Sequence, residues 1–152
     1  MPRSIEKEII IDQTEEKIFE SLIRPRLIIK WWSAHQAIVI PEINGLHAVS
    51  WGTDDDNPEY VTAARISEIK PPIKLSLTDF KYLSKNGKLP FKAELEIQFT
   101  IESAGDKSKL VIKQTGFPDE AVADDFFSSC IKGWENTLSS IKKVVEDDDT
   151  WY

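Results

Sequence analysis

Between residues 119 and 146, Phe127, Ile131, Trp134, Leu138, Ile141 and Val145 recur every three or four positions. On a helix of 3.6 residues per turn that spacing collects them on one face. Asp119 follows Pro118 and can cap the helix, and Glu120, Asp124 and Asp125 lie toward the positive end of its dipole. Lys142 and Lys143 lie at the opposite end, where cations are favoured. The pattern predicts one helix over 119–146, about 40 Å long at 1.5 Å per residue. A one-sided apolar stripe of that length must cover an extended apolar surface, and a sheet can supply one.

The stretch from Gln36 to Gly116 carries a period of two in place of 3.6. Asn44-Gly45, Asn86-Gly87 and Ala104-Gly105-Asp106 read as hairpin turns. Pro71-Pro72 and the stretch from Asp54 to Pro58 mark two further connections. About six strands fit between these breaks. The cleanest is Lys92 to Ile101, with Ala93, Leu95, Ile97, Phe99 and Ile101 on one face and Lys92, Glu94, Glu96, Gln98 and Thr100 on the other. Such a strand belongs to an antiparallel sheet covered on one side. Lys107 to Thr115 follows as its hairpin partner.

Ahead of this region, β-branched Ile5, Ile9, Ile10 and Ile11 predict a strand over Ser4 to Asp12. Asp12 with Glu15 resembles a capping box and Thr14 offers a second cap. The helix that follows, Thr14 to Ile23, spaces Ile18, Phe19, Leu22 and Ile23 along one face. Pro25 suits the first turn of a second short helix running Arg26 to Trp32. The order is therefore one strand, two short helices, about six strands and one long helix. It describes an α+β fold, a curved antiparallel meander of about seven strands with the long helix lying across it. No repeat or low-complexity linker divides the chain, which reads as one domain over 1–146 and an acidic, aromatic tail over 147–152.

Composition sets outer bounds. A chain of 152 residues buries about 70% of its unfolded surface and supports a core without staples. The formal charge of −7 disfavours nucleic acid, whose phosphates repel it. No apolar run is long enough for a membrane span, and the first ten residues carry no signal-peptide core. A cytoplasmic protein, monomeric or weakly dimeric, is expected. The lone Cys130 cannot form an internal disulfide, and its place on the apolar face of the last helix predicts an inert thiol. The acidic runs 54–56 and 147–149 lack the glycine and glutamate of a calcium loop. No metal or cofactor is expected.

No catalytic set emerges. His35 has no partner at a metal-ligand or triad spacing. His47 shares a face with Val49 and Trp51; it is either a satisfied core histidine or one polar contact in a ligand pocket. Gly133 breaks the helix pattern at a cost of about 1 kcal/mol against alanine, and a close approach by another group is the expected reason. The 15 aromatic residues are the distinctive signal. Trp31, Trp32, Trp51, Phe80, Tyr82, Phe99, Phe127 and Trp134 lie in elements that surround one interior. Two readings stand: a bulky core, or a cavity lined by rings between the sheet and the long helix. In the second, a small hydrophobic ligand would meet Trp32, His47, Trp51, Phe80, Tyr82, Phe99, Phe127 and Trp134.

Four segments carry a likeness to known proteins. Ile9 to Ile23 resembles a strand followed by a Thr-started, Ile-Phe helix. Pro25 to Trp32 (PRLIIKWW), Ile66 to Leu75 (ISEIKPPIKL) and Gly133 to Ile141 (GWENTLSSI) resemble three further motifs. Together they resemble the START/Bet v 1-like (SRPBCC) superfamily, and within it the bacterial relatives of the C-terminal domain of the activator of heat-shock protein 90 ATPase. The resemblance implies a helix-grip fold, in which a seven-stranded antiparallel sheet wraps a long C-terminal helix and leaves a cavity. It implies binding of hydrophobic small molecules, or a chaperone protein as partner. Some members are cyclases or dehydratases, for which His47 is the one candidate base here. The domain through which the full co-chaperone engages its chaperone has no counterpart among these residues, so ATPase activation is not expected.

Overall fold

A computed structural model describes residues 2–85, 87, 91 and 93–151. Seven strands form one antiparallel sheet: β1 (Arg3–Ile11), β2 (Gln36–Val39), β3 (Leu46–Trp51), β4 (Tyr60–Lys70), β5 (Lys74–Ser84), β6 (Glu96–Ala104) and β7 (Lys107–Phe117). The order across it is β1-β7-β6-β5-β4-β3-β2, a six-strand meander with the first strand added beyond the last. Helices α1 (Glu15–Ile23) and α2 (Pro25–Trp32) follow β1, and α3 (Asp124–Glu146) follows β7. This is the α+β helix-grip architecture that the element order and the resemblance predict.

Local chemistry accounts for the boundaries. Thr14 caps α1, its side chain accepting from the Lys17 N–H, and Asp12 lies outside the cap. Pro25 opens α2, where its missing N–H has no helical partner to lose. Gly105 turns the β6–β7 hairpin with φ +70, a backbone region that favours glycine. The Pro71–Pro72 turn between β4 and β5 contains a cis peptide bond. The Asn86-Gly87 turn and the start of the expected 92–101 strand rest on residues 86 and 92, outside the described ones. Residues 93–95 are not laddered, and the strand begins at Glu96.

The long helix begins at Asp124, not Asp119. A single 3-10 turn, Ala121–Ala123, precedes it, and its N-cap Ala123 makes no side-chain bond. Arg3 of β1 organises this corner instead. Its Nη2 donates to the Pro118 carbonyl at 2.7 Å and its Nη1 to Asp124 Oδ1 at 2.8 Å. At 23 residues, α3 spans about 35 Å.

α3 packs on β1 and α2. Its C-terminal half presents Leu138, Ile141 and Val145 to a closed core with Ile18, Leu22, Ile28, Leu110 and Ile112. The tail docks where fraying is the default for a terminus. Thr150 is buried, its hydroxyl donating to the Val144 carbonyl at 2.7 Å. Trp151 Nε1 donates to the Val145 carbonyl at 2.9 Å, and the Lys17 ammonium lies over its ring.

Candidate functional site: an apolar cavity under the N-terminal half of the long helix

β5 pairs with β6 only from Lys74 to Leu77 among the described residues. Beyond that point β5 continues to Ser84 alongside β4. Asp79 lies just past it. Its φ of +55 is one that Asp tolerates better than most residues, and its carboxylate pairs with Arg65 Nη2 at 2.9 Å. The described residues beyond this point border a cavity of about 290 Å³. That is close to the lower limit for small-molecule sites.

The walls come from every layer of the fold. Thr62 of β4, Phe80 and Tyr82 of β5, Leu95 and Ile97 at the start of β6, and Gln114 of β7 line the sheet side. Trp32 of α2 closes one end. α3 contributes Phe126, Ser129, Cys130, Gly133, Trp134 and Thr137, spaced by three, one, three, one and three residues and so on a single face. Four of these six are small. The space that Leu138, Ile141 and Val145 fill in the C-terminal half stays empty over Ser129, Cys130 and Gly133.

Gly133 therefore differs from its expected role. A Cβ built on it meets nothing within 4 Å among the described residues, so none of these requires its smallness. The glycine leaves the cavity rim open.

None of the described lining residues carries a formal charge. Cys130 is half-buried and burial pushes its thiol up to about 11, consistent with the inert thiol expected. Burial is also the main cause that raises the Tyr82 phenol, with Tyr60 and Cys130 adding to it. Trp134 Nε1 donates to Gln114 Oε1 at 2.6 Å. The rings form a continuous chain. Trp31 stacks on Trp32 at 5.0 Å, Trp51 meets Trp32 edge-on at 5.3 Å, and Trp134 follows at 6.3 Å from Trp32 with Phe99 edge-on to it at 5.9 Å.

Of the eight residues expected around a ligand, Trp32, Phe80, Tyr82 and Trp134 line this cavity. Phe99 is buried behind Trp134 and backs the wall without reaching the space. Trp51 braces Trp32, donating its Nε1 proton to the Trp32 carbonyl at 3.0 Å. Phe127 points away. It packs edge-on against Phe117 at 5.0 Å under the Arg3 guanidinium, because one residue along a helix is a rotation of about 100°, and Phe126 takes the cavity side. His47 is a satisfied core histidine. It is 4% exposed, and its Nε2 faces the Leu22 carbonyl of α1 at 3.2 Å. Burial lowers its pKa. It is not among the described residues that line the cavity.

The sequence reading missed Thr62, Leu95, Ile97, Gln114, Phe126, Ser129, Cys130, Gly133 and Thr137 as wall residues. The run of small residues at 129, 130, 133 and 137, at helical spacing inside an otherwise bulky apolar face, was the available signal for a void.

Elsewhere, a polar depression of about 440 Å³ lies near Gln13, Glu16 and Lys107, and is open to solvent with a mostly polar lining. His35 pairs with Asp55 on the surface. Among the described residues no cluster of His, Cys, Asp or Glu could hold a metal ion. No helix among them is long and apolar enough to cross a membrane.

The fold recurs in solved structures. Protein CV1439 from Chromobacterium violaceum superposes with a TM-score of 0.74 at 17% identity, covering 97% of this chain and 100% of that one. Protein MLL2253 from Mesorhizobium loti gives 0.73 at 18%, covering 93% and 95%. The Aha1 dimer from Colwellia psychrerythraea, a solution structure, gives 0.70 at 16%, covering 95% and 96%. No curated protein matches the sequence. A family model does, across residues 12–146, from the β1–α1 junction through the cavity to the last residue of α3. The chain belongs to the family of Activator of Hsp90 ATPase homolog 1-like proteins.

Proposed function

We propose that this protein is a non-enzymatic binding module that holds a small hydrophobic or aromatic ligand between its sheet and its C-terminal helix. One START-like domain over 1–146 forms the module, followed by the tail over 147–152, of which Thr150 and Trp151 bond back to α3. The cavity carries the reading: rings line it, no described wall residue is charged, and the few polar groups are neutral. Such a lining favours apolar area over charge recognition. The proposed setting is the cytoplasm, where a free thiol such as Cys130 stays reduced.

Two tryptophans in the wall make occupancy observable. Titrating a library of lipids and aromatic metabolites should raise the melting temperature by mass action and change Trp32 and Trp134 fluorescence for at least one chemical class. A library that produces neither change rejects the reading.

Family membership favours a second reading, an interaction module acting on a heat-shock ATPase. Its test is association with such a chaperone at low salt together with a change in its ATPase rate. A neighbour described as a dimer adds weak self-association, to be checked by sedimentation.

A further inference from the structure

Gln114 is 7% exposed, and it lines the cavity. An indole N–H only donates, so its bond from Trp134 fixes the carboxamide oxygen as the acceptor. The amide nitrogen, with two protons, is thereby turned away from Trp134. Among the described residues no acceptor pairs with it. Nor is it sealed in protein, since Ser76 Oγ is the buried side-chain polar atom without a partner among them. Gln114 lines the cavity, so a group held there could accept from the amide. A donor held in a fixed orientation within an apolar wall selects for an acceptor, because a ligand that cannot accept leaves it unmet. No cation is among the described lining residues to balance an anion, and an unpaired charge in such a wall is costly.

We propose that Gln114 is the polar specificity determinant of the cavity and that its ligand is a small, neutral ring compound bearing a carbonyl or ether oxygen. This rests on the cavity-binding reading above and narrows it to a chemical class.

The probes are tetralin, 1-tetralone and tetralin-1-carboxylate, which share a ring frame and differ in polar group. Wild-type protein, followed by tryptophan fluorescence, should bind 1-tetralone at least as tightly as tetralin and the carboxylate more weakly than either. Gln114→Met keeps length and apolar bulk, and should weaken 1-tetralone about tenfold while leaving tetralin within about twofold. Equal weakening of both compounds overturns the assignment, since Gln114 then only shapes the wall. Carboxylate binding as tight as the ketone overturns the neutral class. Tetralin bound more tightly than 1-tetralone by wild type, as bare partition into an apolar wall dictates, overturns it without any variant. Failure of all three probes on wild type rejects the cavity reading itself and this inference with it, whereas tetralin bound more tightly than the ketone rejects only the inference.

Discussion

The Trp134 indole N–H donates to Gln114 Oε1 at 2.6 Å, and both side chains are more than nine-tenths buried. This one bond ties the middle of the long helix to β7 at the inner end of the cavity. The same indole is packed edge-on by Phe99 and approached by Trp32. Removing the donor while keeping a ring strands the Gln114 oxygen in a nearly dry site. Trp134→Phe should therefore lower unfolding free energy by about 1–3 kcal/mol, read as a lower urea midpoint with an unchanged slope. A midpoint within error of wild type would show that the bond contributes nothing net.

Gly133 gives the cleanest separation of stability from occupancy. A methyl added there meets nothing within 4 Å among the described residues, and alanine is the better helix former by about 1 kcal/mol. Gly133→Ala should raise stability by roughly that amount. Gly133→Phe places a ring over the cavity mouth, and should abolish binding of any ligand found for wild type while the melting temperature holds. Ligand affinity unchanged in Gly133→Phe places the ligand elsewhere.

What was legible in the sequence follows from period and punctuation. The stripe through Leu138, Ile141 and Val145 fixed the long helix, and alternation through Ile97, Phe99 and Ile101 fixed a central strand, because each rests on a short, repeated local rule. The cavity was half legible. Large rings announce that they will be buried, but not whether they meet one another or stand apart. Phe126 and Phe127 are adjacent and equally apolar, and choosing between them needs the helix phase. That phase is a matter of tertiary packing, and at the helix start it involves Arg3, which bonds Pro118 and Asp124 more than a hundred residues away in the chain. Asp79 takes a positive φ where the described β5–β6 pairing has ended, a position with no Gly or Pro to flag it. His47 shares a face with Val49 and Trp51 as expected, yet His47 meets Leu22 of α1 while Trp51 meets Trp32 of α2, a tertiary choice that alternation cannot reveal.

Cys130 reports on the cavity chemically. With its thiol pushed up to about 11 from a usual 9, the reactive thiolate at pH 8 is reduced about a hundredfold. Iodoacetamide should label folded protein far more slowly than urea-unfolded protein, the rate climbing with pH until about 11. Ligand in the cavity should slow labelling further. Labelling at the same rate in the folded and unfolded states would mean the thiol is neither desolvated nor covered.

His47 sets a pH dependence of stability whose sign is fixed by its burial. The folded imidazole has a lowered pKa, chiefly from desolvation, while the unfolded one titrates near its ordinary value of about 6.5. As pH falls below that value the unfolded chain takes up a proton that the folded chain refuses. The stability His47 contributes is therefore complete above about 6.5 and lost as pH falls. Glu68 and Glu146 also have lowered values, and their loss begins nearer the ordinary carboxylate range of about 4.3. A comparison between pH 7.5 and 5.5 thus reports mainly on the histidine. Urea midpoints of wild type should fall across that interval. His47→Gln retains a side-chain N–H that can donate to the Leu22 carbonyl and has no proton to gain, so its midpoint should fall less. Parallel curves for the two proteins would assign the acid sensitivity to other groups.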